Sequence, residues 1–136
     1  MDVIVTERKS ATWIRLNRPE RRNAFDPEMA LEIVNAIDGA TASRAVVITG
    51  SPGSFCSGGS LTSLAHPTER EMRYMYEGSL RLFDAIRRCP RPVIAAVNGA
   101  AAGGGNELIV ACDLAIASKS ATFGQTGPRV GSAPVT

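Results

Sequence analysis

Apolar and polar positions recur along this chain at two periods. Val3 to Glu7 and Thr12-Trp13-Ile14-Arg15-Leu16 read as strands, with Ser10-Ala11 turning between them, and so predict a hairpin. Ala30, Ile33, Val34 and Ile37 fall at helical spacing. Asp26-Pro27-Glu28 before them supplies an N-cap, a proline at the first helical position and an acid in the first turn, and Gly39 ends the predicted helix. The run RAVVITG, Arg44 to Gly50, is a short buried-strand pattern, so strand–helix–strand implies a crossover between parallel strands. Thr68-Glu69-Arg70-Glu71 resembles a capping box. The helix it opens carries Met72, Met75, Tyr76, Leu82, Phe83 and Ile86 on one side, a stripe read here as core rather than as a cofactor contact. Pro90 and Pro92 stop that helix before the strand Val93 to Val97. A short helix over Leu108 to Cys112, a strand over Asp113 to Ser118 and a brief strand at Thr122 to Gln125 complete the series. The alternation predicts an α/β layer structure in one domain, residues 1–136.

Two of these strands run into glycine. Val97 leads through Asn98-Gly99 to Gly103-Gly104-Gly105, and Asn106-Glu107 then opens the next apolar segment. Consecutive glycines let backbone N–H groups meet a ligand with no Cβ between them, and a helix N-terminus adds partial positive charge at the same place. Such a corner suits a developing negative oxygen, and Glu107, about one turn into the helix, stands within reach of it. The plainer alternative is a packing turn whose glutamate is solvated or caps the helix start. The segment SPGSFCSGGS, Ser51 to Ser60, repeats the strand-to-glycine transition. Two donors from separate corners, converging on one oxygen, make an oxyanion hole.

AVVITGSPGSFCSGGSL followed by PVIAAVNGAAAGGGNELIVACDLAIAS resembles the crotonase (enoyl-CoA hydratase/isomerase) superfamily, as do NRPERRNAF at Asn17 to Phe25 and ATFGQTGP at Ala121 to Pro128. The four stretches stand in the family's order along almost the whole chain. The resemblance implies an α/β spiral of β-β-α units and an enzyme of the hydratase, lyase or isomerase kind, acting on acyl-CoA thioesters in fatty acid metabolism. By motif position it implies Gly59 and Gly104 as the oxyanion-hole amides and Glu107 as the general acid/base. It places the coenzyme A nucleotide beside Arg22, Ala24 and Ser57, with Arg22 as the candidate phosphate contact, although the arginines of that loop also fit a solvated face. Coenzyme A is then part of the substrate, and no separate cofactor is expected.

One position departs from the two-glutamate hydratases: Gly127 stands where the second glutamate is expected. FGQTGP, followed by Arg129-Val130-Gly131-Ser132, looks more like the dihydroxynaphthoyl-CoA synthases and the ring-opening β-oxoacyl-CoA hydrolases. In the synthases a glycine there leaves room for bicarbonate, which makes Gln125, Thr126 and Gly127 a candidate substrate or bicarbonate pocket. The synthases generally lack an acid at the place of Glu107, and GSAP at Gly131 to Pro134 leans toward the hydrolases. A catalytically silent module that binds a CoA ester is the reading from another class. The chain ends at Thr136 in a Gly/Pro-rich loop, while family members continue into helices that close the acyl pocket and build a trimer. The expectation is a crotonase-like core without that C-terminal helical part, and a homotrimer or hexamer at full length.

Composition narrows the alternatives. Fifteen Lys and Arg against thirteen Asp and Glu leave a formal charge of +2, too small to argue for nucleic acid or a membrane surface. Aromatic residues make up 5%, which disfavours a base-stacking platform. No apolar run reaches the ~18 residues of a transmembrane helix. Cys56, Cys89 and Cys112 show no metal-site spacing, and three thiols without a signal peptide point to a reduced, cytoplasmic protein. Cys56 is read as a packed side chain in preference to a nucleophile. His66 is the only histidine, which argues against a metal site.

Overall fold

The computed structural model describes residues 1–60 and 67–135. His66 lies outside the described residues. Among the described residues eight strands and three helices follow one another as β1 (Val3–Arg8), β2 (Ala11–Leu16), α1 (Pro27–Gly39), β3 (Ala45–Gly50), β4 (Ser54–Cys56), α2 (Glu69–Arg88), β5 (Val93–Val97), β6 (Ala100–Ala102), α3 (Gly104–Ala111), β7 (Leu114–Ala117) and β8 (Phe123–Gly124). Two 3-10 turns, Pro19–Arg21 and Gly127–Val130, complete it.

The larger sheet has the order β1-β2-β3-β5-β7, and the smaller one β4-β6-β8. Only the β1–β2 hairpin is antiparallel; β2, β3, β5 and β7 pair in parallel. From β3 onward each strand pair sends its first member to the larger sheet and its second to the smaller, with a helix before the next pair. That is the expected spiral of β-β-α units.

The predicted glycine loops differ in one respect. Each contains a three-residue strand, β4 in Ser51–Ser60 and β6 ahead of Gly103, and these build the smaller sheet. Such strands are too short to show a period of two, and the alanines of β6 have little β-propensity. Helix α3 also begins earlier than expected, at Gly104.

The helices start where their caps predict. The Asp26 carboxylate accepts the Met29 N–H, and Thr68 with Glu71 forms a complete capping box. Met29, Ala30, Ile33 and Ile37 of α1 and Leu82, Phe83 and Ile86 of α2 are buried against Ile14, Leu16, Val46, Ile48, Val93 and Ala95 of the larger sheet. Two asparagines fasten the first glycine corner to this core. Asn23, fully buried with φ 57°, donates to the Ser54 and Phe55 carbonyls and accepts from the Ser51 hydroxyl. Asn98 donates to the Ser51 carbonyl and accepts the Gly50 N–H.

Arg18 departs from the solvated face expected of the arginines in its loop. It is nearly buried and ion-paired to both Asp2 and Asp26. Asp26 therefore caps α1 and anchors the loop at once.

Candidate active site

All strands of the smaller sheet run parallel, so they leave it at one edge. β4 runs into Ser57-Gly58-Gly59, β6 into Gly103-Gly104, and β8 into Gln125-Thr126-Gly127. A bridge between Phe25 and Gly59 aligns the Asn23–Phe25 segment beside them. The two glycine corners are thus brought together by strand pairing, and ligands of open α/β sheets gather at this C-terminal edge.

The corners touch. A Cβ added to Gly104 would stand 3.3 Å from the Gly59 nitrogen and 3.2 Å from Phe25 Cζ. A Cβ on Gly105 would stand 2.1 Å from the Cys56 carbonyl oxygen, so only glycine lets α3 approach β4 this closely. Around the first corner the N–H groups of Ser57, Gly58 and Ser60 donate to Arg22 O, Cys56 Sγ and Phe25 O. The Gly59 N–H between them meets no acceptor among the described residues. Gly104 is the first residue of α3, a position whose N–H no carbonyl of its own helix can reach.

Both glycines line a cavity of about 530 Å³, together with Glu107, Thr126 and Gly127. Glu107 is 8% exposed, and its Oε1 accepts the Val135 N–H at 2.5 Å. Met72, Met75 and Tyr76 form another wall. The apolar stripe of α2 is therefore divided: its C-terminal half is core, as expected, and its N-terminal half faces the cavity. On that wall the Tyr76 and Ser132 hydroxyls are 3.1 Å apart. Cys56 is fully buried, donates to the Asn23 carbonyl, and has its thiol pushed up to about 12 by that burial. It is a packed residue with no nucleophilic character at neutral pH. Among the described residues no group of three His, Cys, Asp or Glu could hold a metal ion, and no helix is long and apolar enough to cross a membrane.

Residues 6–136 match the family described as Enoyl-CoA hydratase/isomerase. The chain belongs to that family. It is 39% identical over 135 residues to a Thermus thermophilus protein named provisionally as an enoyl-CoA hydratase, covering 95% of this chain and 53% of that protein. It is 40% identical over 134 residues to the 6-oxocyclohex-1-ene-1-carbonyl-CoA hydrolase of Syntrophus aciditrophicus, covering 92% of this chain and 35% of that enzyme. The crystal structure of an enoyl-CoA hydratase from Polaromonas superposes with a TM-score of 0.92 at 37% identity, over 97% of this chain and 54% of that one. The fold is the crotonase fold, and the chain spans about half the length of most of the relatives it matches.

The family's expected positions fall unevenly around the cavity. Gly59, Gly104, Glu107, Thr126, Gly127 and Ser57 line it. Gln125 does not; it is exposed. Arg22 is exposed and Ala24 buried, and neither lines the cavity, although the Arg22 carbonyl holds the N–H of Ser57, which does. At Gly127 the space where a side chain would point is tight: a Cβ there would lie 3.0 Å from the Ser132 carbonyl oxygen.

Sequence reasoning missed Ser132, Val135 and the cavity role of Met72, Met75 and Tyr76. The stripe on α2 was a visible signal, but a helical period marks a covered face without distinguishing core from cavity wall.

Proposed function

We propose that the protein containing this chain acts on acyl-CoA thioesters by stabilising a thioester enolate, with hydratase or isomerase chemistry as its reaction. The observation that carries this reading is the meeting of Gly59, Gly104 and Glu107 at one cavity. The Gly59 and Gly104 N–H groups form the oxyanion hole and hydrogen-bond the thioester oxygen as it gains negative charge. That charge makes the α-proton acidic and the β-carbon open to addition. Glu107 is the general acid/base: it takes a proton from carbon or from an attacking water and returns it to the enolate carbon. Met72 and Met75 give the site an apolar wall, beside which fixed dipoles act more strongly than in open solvent. Arg22, Ala24 and Ser57 border the coenzyme A portion, with Arg22 free to turn toward a phosphate from its exposed position. The reaction needs no dissociable cofactor. The same reading takes the whole protein as a cytoplasmic homotrimer or hexamer of fatty acid metabolism.

A second reading has its own support. The Tyr76–Ser132 hydroxyl pair gives the cavity wall a polar spot, and Gly127 stands where a second glutamate is expected. Both favour an oxygen-bearing acyl group, as in a ring-opening hydrolase of β-oxoacyl-CoA esters. The deciding experiment is steady-state turnover of crotonyl-CoA and of a cyclic β-oxoacyl-CoA by the whole protein. Faster turnover of crotonyl-CoA supports the hydratase reading, and faster turnover of the cyclic ester supports the hydrolase. Binding of both esters with turnover of neither makes the protein a silent CoA-ester module and overturns the enzymatic proposal.

A further inference from the structure

We propose that Tyr76 is a positioning residue for Glu107, acting through a hydroxyl latch on the segment whose amide binds the carboxylate. The proposal rests on the reading of Glu107 as the general acid/base. Gly131, Ser132, Ala133 and Val135 form part of the cavity wall. Two hydrogen bonds tie this wall to the helices. The Tyr76 and Ser132 hydroxyls, 3.1 Å apart, join it to α2. The Val135 N–H, donated to Glu107 Oε1 at 2.5 Å, joins it to α3.

The chain between the two ties is stiff. The ring of Pro134 fixes its φ, and Ala133 before it is restricted to extended conformations. On the other side of Ser132 the turn is closed, since the Gly131 and Ser132 N–H groups both donate to the Gly127 carbonyl. A shift of Ser132 is therefore passed on to Val135, and through its N–H to the Glu107 carboxylate. Proton transfer is sensitive to such a shift, because the carboxylate has to stand within hydrogen-bond reach of the proton it takes. In this role neither hydroxyl has to meet the substrate, which separates the latch from direct recognition of an acyl oxygen.

Tyr76→Phe removes the hydroxyl and keeps the ring. In the whole protein it is expected to lower kcat about tenfold for whichever of crotonyl-CoA and the cyclic β-oxoacyl-CoA the parent turns over faster, a loss between that of one hydrogen bond and the roughly hundredfold of a 1 Å misplacement. KM, and the affinity for butyryl-CoA as a saturated, non-reacting ester, are expected to stay unchanged. Ser132→Ala should give the same loss, the double variant no more than either single one, and Tyr76→Phe no further loss in a Glu107→Gln background. Tyr74→Phe, which removes a hydroxyl of the same helix bonded to Glu28, is the control and should leave kcat unchanged. Deuterium exchange of the peptide covering residues 127–135 needs no turnover and is expected to quicken in Tyr76→Phe and Ser132→Ala. Unchanged exchange or kcat in the folded variants, additive losses in the double variant, a raised KM with kcat intact, or an equal loss in the Glu107→Gln background overturns the proposal. Turnover of neither ester by the parent overturns the enzymatic reading instead, and the exchange result then decides the latch by itself.

Discussion

Gly104 faces Gly59 so closely that a single added methyl group on the first would stand 3.3 Å from the nitrogen of the second. The space between two chain corners 45 residues apart in the sequence is thus about one atom wide, which is the scale of a carbonyl oxygen accepting from both amides. Gly104→Ala is expected to occupy that space. Its methyl group would also meet Phe25 Cζ at 3.2 Å, a contact that a small ring movement relieves. The protein should stay folded while kcat falls by roughly 10²–10³, as much as the loss of one oxyanion donor, because the methyl group keeps the oxygen from both amides. Circular dichroism and steady-state kinetics on one preparation check this, and full activity in a folded Gly104→Ala would remove the oxyanion role from this pair.

Much of this arrangement was legible in the sequence, for reasons that differ by element. α1 and α2 announce themselves through caps at Asp26 and Thr68 followed by a sustained apolar period, both local signals. The strands of the larger sheet show as apolar runs because a covered strand must be apolar. β4 and β6 do not, because three residues carry no period and their pairing is set by partners far along the chain. Gly59, Gly104 and Glu107 were named by motif position through the family resemblance, in two glycine-rich stretches that are themselves visible in the sequence. Ser132 and Val135 did not, since only the fold of the 127–135 segment brings them to Tyr76 and Glu107.

Gly127→Glu introduces a carboxylate at the position of the second glutamate expected in a two-glutamate hydratase. The geometry predicts no gain from it. The new Cβ would lie 3.0 Å from Ser132 O and 3.3 Å from Ser132 C, both backbone atoms, and Gly127 O accepts the Ser132 N–H at 2.9 Å in the same turn. Overpacking of this kind costs about 1–3 kcal/mol. The variant is expected to melt lower and to gain no hydration of crotonyl-CoA. A gain in hydration with unchanged melting would show that the turn opens freely.

Asp2 and Asp26 give the fold a defined acid limit. The Arg18 hydrogen bond draws the Asp2 carboxyl below its ordinary 3.8. For Asp26 burial pushes upward, but the Arg18 and Met29 hydrogen bonds outweigh it, and the net direction is again downward from 3.8. A carboxyl depressed in the folded state favours folding in its ionised form. That contribution is nearly complete above about pH 5 and disappears as pH falls through the lowered values. Asp26→Asn keeps an acceptor for the Met29 N–H but cannot ionise, so its urea stability should vary less with pH below 4 than that of the parent. Asp26→Ala should lose the cap as well, about a further 1 kcal/mol. Parallel pH profiles for the parent and Asp26→Asn would show that the Arg18 pair contributes nothing.

Strand β7 is paired on one side only, to β5, and all four of its residues are exposed. Leu114 is 59% and Ile116 70% exposed on an unpaired edge, a feature that templates association between chains. The 136-residue chain prepared alone is expected to self-associate. Ile116→Lys should reduce that association in sedimentation velocity while leaving the melting temperature nearly unchanged, since the side chain is largely solvated already. Identical sedimentation of parent and variant as stable monomers would rule this edge out as the contact.

Glu107 carries the proton in the proposed reaction, and Glu107→Gln isolates that role from its structural one. The carboxylate is buried at the start of α3 and accepts the Val135 N–H at 2.5 Å, so a substitution that removed the acceptor would disturb the 127–135 segment along with the chemistry. Glutamine has nearly the same size, and its amide oxygen can still accept from Val135. Its nitrogen cannot take up a proton. The melting temperature and the affinity for a non-reacting CoA ester should therefore change little, while kcat falls by roughly 10²–10⁴, the range of general acid–base catalysis. Glu107→Ala should lose the Val135 contact too, lowering stability and activity together. The separation between the two variants is the informative quantity. If Glu107→Gln turns over every tested thioester as fast as the parent, and Glu107→Ala loses only stability, then Glu107 holds the 127–135 segment in place and the proton is moved by another group.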